Sequence, residues 1–244
     1  VHVRCAKNKG MIAGKLTGMV LINCRSVSKN GSKAKNFIVE NDCDIIAVTE
    51  TWLSEHEPLA SHVINDFCPK GYTMSHKPSV GRTGAGVGIM YKKNIKVRHL
   101  KSANFSTFEH SEHILRLNAK WVRITVIYRP PPPPGSNLSF GLFLEEFESF
   151  LEQLVLSIEE LFIVGDFNIH INKISDYYAR KFLSLIDNYN LKQHILGPTH
   201  RDGNTLDLVI TRNEGTPISA ITVHPPNLVS DHSLIHISLN LVQN

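Results

Sequence analysis

Short apolar runs punctuate the chain, and each stops at a polar residue. Met19–Asn23 (MVLIN), Ile45–Thr49 (IIAVT) and Leu161–Val164 lack the alternation of a half-wet strand, so they predict strands buried on both faces. Ala85–Tyr91 predicts a glycine-interrupted strand and Ile95–His99 a basic, alternating one. Ile114–Asn118 and Trp121–Tyr128 predict a strand pair across a tight turn. Leu206–Thr211, Ile218–Val223 and Leu234–Leu239 predict three further strands. Helical spacing of apolar residues marks Ser28–Asn41, Ser139–Ile158 and Tyr178–Asn188; the second carries Phe143, Leu144, Phe147, Phe150, Leu151, Leu154, Val155 and Ile158. Proline and glycine crowd residues 54–83, which predicts mostly loop. Pro130–Pro134 cannot pair in a sheet and predicts an extended connector, with a docking site of the SH3 type as the competing reading. Residues 1–15 are basic and aperiodic, a loose lead-in.

Strands outnumber helices and arrive in adjacent pairs, with long helices between some of them. The expected fold is α/β or α+β, with two sheets packed face to face and helices outside. No glycine-rich phosphate loop follows a strand, which argues against a simple nucleotide-binding fold. A chain of 244 residues, 42% hydrophobic and 20% charged, can bury a core without staples. One domain over residues 16–244 is the expectation, with two small domains as the alternative.

Charge and cysteine usage change this picture little. Twenty-six Lys and Arg against 22 Asp and Glu give +4, compatible with a polyanionic partner but too weak to identify one. No apolar run is long enough to span a membrane. The four cysteines form no CxxC pair, so reduced thiols in an intracellular protein are expected. The 13 histidines show no HExxH, so a dedicated zinc site is not expected. The missing initiator Met suggests a piece of a longer polypeptide, and no signal peptide is read.

Chemistry concentrates at strand ends. Asn23 closes MVLIN, Glu50 closes IIAVTE, and Asp166 and Asn168 follow LFIV. Thr205 and Asp207 open the NTLDLVI strand, and Asp231-His232 precede LIHIS. Pairs two apart on an extended backbone point the same way. Each placement alone reads as a turn former or cap; the set is harder to dismiss. Glu50 with Asp231 or Asp166 offers hard oxygen ligands for Mg²⁺. Asn23 and Asn168 could fix a water or a phosphate. Asp207 could accept the His232 Nδ1–H. Tyr128 and Arg129 offer donors to a phosphate. That is the equipment of metal-assisted phosphodiester hydrolysis.

These residues stand in motifs: LINCRSV (Asn23), AVTETWL (Glu50), VIYRPP (Tyr128), IVGDFNIH (Asp166, Asn168), GNTLDLVITR (Thr205, Asp207) and SDHSLI (Ser230, Asp231, His232). In this order, over about residues 16–240, the chain resembles the endonuclease/exonuclease/phosphatase superfamily. Within it the chain is most similar to the apurinic-type endonuclease domain of vertebrate non-LTR (LINE-type) retrotransposons, with GPTH (Gly197–His200) as further support. The resemblance implies a four-layer sandwich of two mixed sheets with helices on both outer faces. It implies Glu50 as the principal Mg²⁺ ligand, with Asn23 and Asp231 nearby and Mn²⁺ able to substitute. Asp166 would orient or deprotonate the attacking water, and Asn168 would place water and phosphate. Tyr128 would hydrogen-bond the phosphate, and His232, held by Asp207, would stabilise the transition state. The family leaves the base open between Asp166 and His232. Thr205, Ser230 and Arg129 would contact substrate.

The implied activity is a nick in duplex DNA leaving a 3′-hydroxyl that primes a reverse transcriptase lying C-terminal in the full polyprotein. The domain would be a monomer acting in the nucleus, with no membrane. The alternatives are another phosphodiesterase of the superfamily (an apurinic-site repair enzyme or a phosphatase), or a catalytically silent nucleic-acid-binding module. Arg25 departs from the acidic residue of the repair enzymes at that place. A basic cluster of Lys92, Lys93, Lys96, Arg98, His99 and Lys101 reads equally as a solvated face or as a DNA-backbone contact. His170 reads as cleft-lining or structural. His110, His113, His194 and His200 are expected at the surface or core edge, and Trp52 and Trp121 in the core. A hairpin from Asn204 and the strands after it could enter a minor groove.

Overall fold

The structure, a computed structural model, describes residues 16–54, 59–79, 84–100, 103–131 and 139–241. The lead-in 1–15 and the proline run from 132 onward lie outside the described residues. Two six-stranded mixed sheets pack face to face. Sheet I has the order β11-β12-β1-β2-β4-β3 and sheet II the order β5-β6-β7-β8-β10-β9. In sheet I the strands are β1 (Thr17–Asn23), β2 (Ile45–Thr49), β3 (Tyr72–Lys77), β4 (Val87–Lys92), β11 (Ile218–Val223) and β12 (Ile235–Leu239). Sheet II holds β5 (Lys96–His99), β6 (Glu109–Leu117), β7 (Lys120–Tyr128), β8 (Glu160–Asp166), β9 (Leu191–Gln193) and β10 (Asp207–Arg212). The helices are α1 (Val27–Glu40), α2 (Ala60–Phe67), α3 (Phe140–Leu154) and α4 (Tyr177–Asn188).

Each sheet is built around one parallel pair, β1–β2 in sheet I and β7–β8 in sheet II. Parallel neighbours need a crossover, and α1 and α3 supply it. The remaining pairings are antiparallel. Period-two alternation splits each strand between two cores. Leu21, Ala47 and Ile89 meet Val122, Ile124 and Val164 between the sheets. Val20, Ile22, Ile46 and Val48 face outward onto Val27, Ala34 and Ile38 of α1. Ile127, Ile163 and Leu208 face outward onto Phe143, Phe147 and Phe182. Helix layer, sheet, sheet, helix layer is the sandwich the motifs implied.

Local differences from the sequence reading have simple causes. Residues 54–83 hold α2 and β3 as well as loop. β3 is half-buried along its length, so it shows no apolar run to read. β9 has three residues, too short for periodicity. α3 stops at Leu154, where the buried stripe ends; Ile158 is 97% exposed. The tight turn after β6 is real: Leu117 pairs with Lys120, and Asn118 takes φ 51°.

Candidate active site

The topology delivers the polar strand ends to one rim. Parallel register sets Asn23 beside Thr49 in sheet I and Tyr128 beside Asp166 in sheet II. Antiparallel pairing sets Asp207 opposite Asp166. Beyond β1 and β2 the two chains stay zipped, with Cys24 N–H to Thr49 O at 3.0 Å, Ser26 to Glu50 at 2.9 Å and Val27 to Thr51 at 3.0 Å. Non-glycine residues with positive φ collect here: Arg25 (41°), Ser26 (87°), Glu50 (50°), Trp52 (57°) and Asn168 (49°). Such backbone is costly and persists where the surroundings over-determine it. Gly165 is required by close approach. A Cβ there would lie 1.8 Å from the Ile127 carbonyl oxygen, so only glycine lets β8 meet β7 just before Asp166.

Side chains from the ends of β1, β2, β7, β8 and β10 and from the turn before β12 then meet. Asn23 Nδ2 donates to Glu50 Oε1 at 2.9 Å and Asp166 Oδ2 at 3.0 Å, and lies 3.5 Å from His232 Nε2. Trp52 Nε1 donates to the other Glu50 oxygen at 3.0 Å. Asp166 also accepts from the Asn168 backbone N–H at 3.0 Å and from Asn168 Nδ2 at 3.1 Å. His232 Nδ1 sits 2.8 Å from Asp207 Oδ2, and the buried Tyr128 phenol lies among the charges of Glu50 and Asp166. Asp166 and Asn168 converge because the chain turns at Asn168, not because the backbone stays extended.

The electrostatics are those of crowded anions. Burial, then the carboxylates of Asp207 and Glu50, push the Asp166 carboxyl well above its ordinary range. Burial works against a charge on His232, but Asp207, Asp166 and Glu50 outweigh it and raise the imidazole to about 10. Burial and the neighbouring carboxylates of Glu50 and Asp166 hold the Tyr128 phenol far above its usual value. One ligand atom from each of Glu50, Asp166 and His232 falls within 4.8 Å of the others. Asp207 Oδ1 is buried with no partner. Three buried carboxylates face one imidazole, and that excess of negative charge with an unmet oxygen fits a hard divalent cation.

Asp231 belongs to a neighbouring group. It is ion-paired with Arg25, lies 3.3 Å from His200 Nε2, and forms a second candidate cation cluster with His200 and His232. Burial works against its charge, yet Arg25 and both histidines hold its carboxyl below the ordinary range. A guanidinium therefore occupies the side of the site where the sequence reading gave a metal ligand. His200, expected at the surface or core edge, packs edge-on against His232 with ring centroids 4.9 Å apart. Nothing in its spacing announced this, because the Thr199–Asn204 turn brings it in.

Three expected substrate contacts are engaged inside the protein. The Thr205 hydroxyl donates to the Gly197 carbonyl at 2.9 Å. The Ser230 hydroxyl donates to the Asn23 carbonyl at 2.7 Å and accepts the His232 N–H at 3.2 Å, pinning the His232 turn to β1. Arg129 is buried, lies over the Phe140 and Phe143 rings, and bonds the Phe167 and Asn168 carbonyls at 3.3 Å. It props the loop that carries Asn168, because a strand-end arginine this deep meets backbone before solvent.

Other expectations change too. Trp52 is 37% exposed rather than core. Trp121 is half-buried, with Arg98 and Arg116 against its ring. His110 and His113 are buried. Lys92 leaves the basic cluster to pair with Asp42 and Asp44. β10 and β11 belong to different sheets and form no hairpin; the antiparallel pair after Asn204 is β11–β12. His170 is half-buried, and burial, then the Lys173 charge, hold its imidazole below the ordinary range.

A model of the Endonuclease/Exonuclease/phosphatase family matches residues 21–232. No curated protein matches the chain in sequence. Among solved structures, the endonuclease domain of TRAS1, a telomere-specific non-LTR retrotransposon, is 14% identical over 94% of this chain and 100% of that one, with a TM-score of 0.69. The AP endonuclease LMAP from Leishmania major is 14% identical over 99% and 92%, with a TM-score of 0.72. An AP endonuclease from Archaeoglobus fulgidus is 15% identical over 93% and 100%, with a TM-score of 0.67. At these identities the likeness is one of fold.

Proposed function

We propose, since this chain belongs to the endonuclease/exonuclease/phosphatase family, that it is a Mg²⁺-dependent DNA endonuclease that nicks duplex DNA and leaves a 3′-hydroxyl. One observation carries the reading: Glu50, Asp166 and His232, from distant parts of the chain, bring ligand atoms within 4.8 Å of one another beside a buried His232–Asp207 pair. Glu50 and Asp166 would hold the ion, with Asn23 between them. When bound, it supplies Lewis-acid stabilisation of charge on a phosphoryl oxygen.

The remaining roles follow from position. Asp207 fixes the His232 ring so that Nε2 faces the cleft, where a protonated imidazole stabilises a phosphoryl oxygen as charge grows. Asp166, held by Asn23 and Asn168, is aimed to orient or deprotonate a water. Tyr128 is poised to donate to the phosphate. The nick would prime a reverse transcriptase C-terminal in a longer polyprotein, in the nucleus. The TRAS1 domain's likeness supports that context. An apurinic-site repair activity is the second reading, favoured by the two AP endonuclease folds and disfavoured by Arg25, which pairs with Asp231.

Supercoiled plasmid and an abasic duplex, each incubated with Mg²⁺ and with chelator, decide between them. Metal-dependent nicking of intact plasmid is expected, with ligatable 3′-hydroxyl ends. Cleavage confined to the abasic duplex would replace this reading with the repair enzyme. DNA binding without nicking of either would replace it with the silent module.

A further inference from the structure

The outer face of sheet II is only partly covered. α3 and α4 lay their aromatic stripe over β7, β8 and β10. Toward the edge strand β5 the same face turns basic. Leu115, Leu117 and Val122 point into the inter-sheet core, so Arg116 and Trp121 stand on the opposite face. Lys96, Arg116 and Trp121 lie in register across three strands. The Arg98 guanidinium carbon is 4.0 Å from the Trp121 ring centroid and that of Arg116 is 5.3 Å away. Nearby, Arg123 is paired with Glu112 and Lys120 with Glu160. Among the described residues no carboxylate is hydrogen-bonded to Arg98 or Arg116.

An exposed arginine normally samples many rotamers and loses that freedom on binding. Here one indole holds two guanidiniums in place. Each keeps a planar fork of donors suited to phosphate. Flat aromatic and guanidinium planes on an open sheet are also what unstacked bases pile upon. A duplex hides its base faces and would use only the charges. An acidic protein segment would use only the charges as well. The Arg98 charge also reaches the Glu159 carboxylate, but no carboxylate among the described residues hydrogen-bonds either guanidinium, and stacked planes carrying such cations fit a single strand.

This face is remote from the cleft. Trp121 precedes Tyr128 by seven residues on β7, roughly 23 Å along the strand at ~3.3 Å per residue. We propose that the Arg98–Trp121–Arg116 stack is a second nucleic-acid site, which holds a single-stranded nucleic acid apart from the duplex cut at the cleft. The proposal does not depend on the chemistry of the cleft.

Fluorescence anisotropy with a labelled oligothymidylate of about 20 nucleotides, in chelator, tests it. The Arg98→Ala/Arg116→Ala double variant is expected to bind at least about 10-fold more weakly, with a salt slope shallower by about 1.4. Plasmid nicking by the same variant is expected to match wild type. Excess unlabelled duplex should leave the oligonucleotide bound. Wild-type protein that does not bind the strand, or a folded double variant that binds it equally well, overturns the proposal. Displacement by duplex would make the face part of the duplex path, and equal displacement by polyglutamate would reduce it to charge alone; either outcome also rejects the site.

Discussion

The two crossovers, β1–α1–β2 and β7–α3–β8, solve one geometric problem with different materials. Both run a parallel pair to the same rim and set a carboxylate at the end of its second strand, Glu50 in sheet I and Asp166 in sheet II. The first is held by polar devices. Its loops are zipped backbone to backbone, Arg25, Ser26, Glu50 and Trp52 take positive φ, and α1 rests on small contacts such as Val27, Gly31 and Ala34. The second is held by rings: Phe143 and Phe147 stack 5.4 Å apart, and Phe147 meets Phe167 edge-on at 5.7 Å. Strain sits where the polar crossover shapes the cleft, and dry packing sits where the other supplies rigidity.

The largest expected effect asks whether the two carboxylates are equivalent. Glu50→Gln and Asp166→Asn should each lower nicking by roughly 10²–10⁴-fold. Their stabilities should part. Asp166 has no exposure and is crowded by Asp207 and Glu50, so Asp166→Asn should raise the melting temperature measured in chelator. Glu50 sits nearer the surface than Asp166, 9% exposed against none, so Glu50→Gln should gain less. Calorimetry beside a plasmid assay checks both. A fall in Tm for Asp166→Asn would mean that its hydrogen bonds outweigh its crowding.

Core packing comes next. Phe147→Ala removes a fully buried ring and should cost about 3–5 kcal/mol. Ala34→Gly on α1 should cost about 1 kcal/mol. Urea titrations of the two variants measure the contrast. Equal losses would show that the polar crossover depends on packing as much as the aromatic one.

The ease of reading the sequence divides along the same line. The apolar runs of β1, β2, β7 and β8 and the stripe of α3 are visible because burial on a fixed period leaves a pattern. Asn23, Glu50, Asp166, Asp207 and His232 could be placed because each abuts such a run. What stayed hidden depends on turns. His200 enters through the Thr199–Asn204 loop, and the Arg25–Asp231 pair joins residues 206 apart. The resemblance implies Thr205 and Ser230 as substrate contacts, and the strand end offers Arg129 to a phosphate, yet their hydrogen bonds face inward. A sequence shows that a hydroxyl is near a site, not which carbonyl has already taken it.

A smaller effect separates the sheets by pH. Burial holds His76 of sheet I and His110 and His113 of sheet II at about 4. A folded-state pKa below the unfolded value of 6.5 means that the unfolded chain binds protons first. Stability is therefore full above pH 6.5 and falls as the pH drops toward 4. His113→Gln should flatten that decline by roughly 1–2 kcal/mol between pH 7 and 5. His76 has a Thr51 partner at 2.8 Å, whereas His113 Nδ1 has none, so His113→Gln should lose less at neutral pH than His76→Gln. Chemical denaturation across the range reads both; an unchanged slope in His113→Gln would show that its imidazole titrates normally.

The smallest effect compares the two helix caps. Ser26 and Ser139 both cap with a hydroxyl, accepting from Lys29 N at 3.3 Å and Leu142 N at 3.1 Å. Their backbones differ: Ser139 is extended at φ −82°, while Ser26 sits at φ 87°. Ser139→Ala removes the acceptor from an unstrained cap and should cost about 1 kcal/mol. Ser26→Gly removes a longer bond but relieves a conformation that only glycine adopts freely, so the two terms should nearly cancel to within about 0.5 kcal/mol. The hydroxyl at position 26 would then be dispensable for stability while the turn it occupies is not. Paired denaturation curves test this. A loss for Ser26→Gly as large as for Ser139→Ala would place the strength of that cap in the side chain, and the polar crossover would lose its claim to be held by backbone.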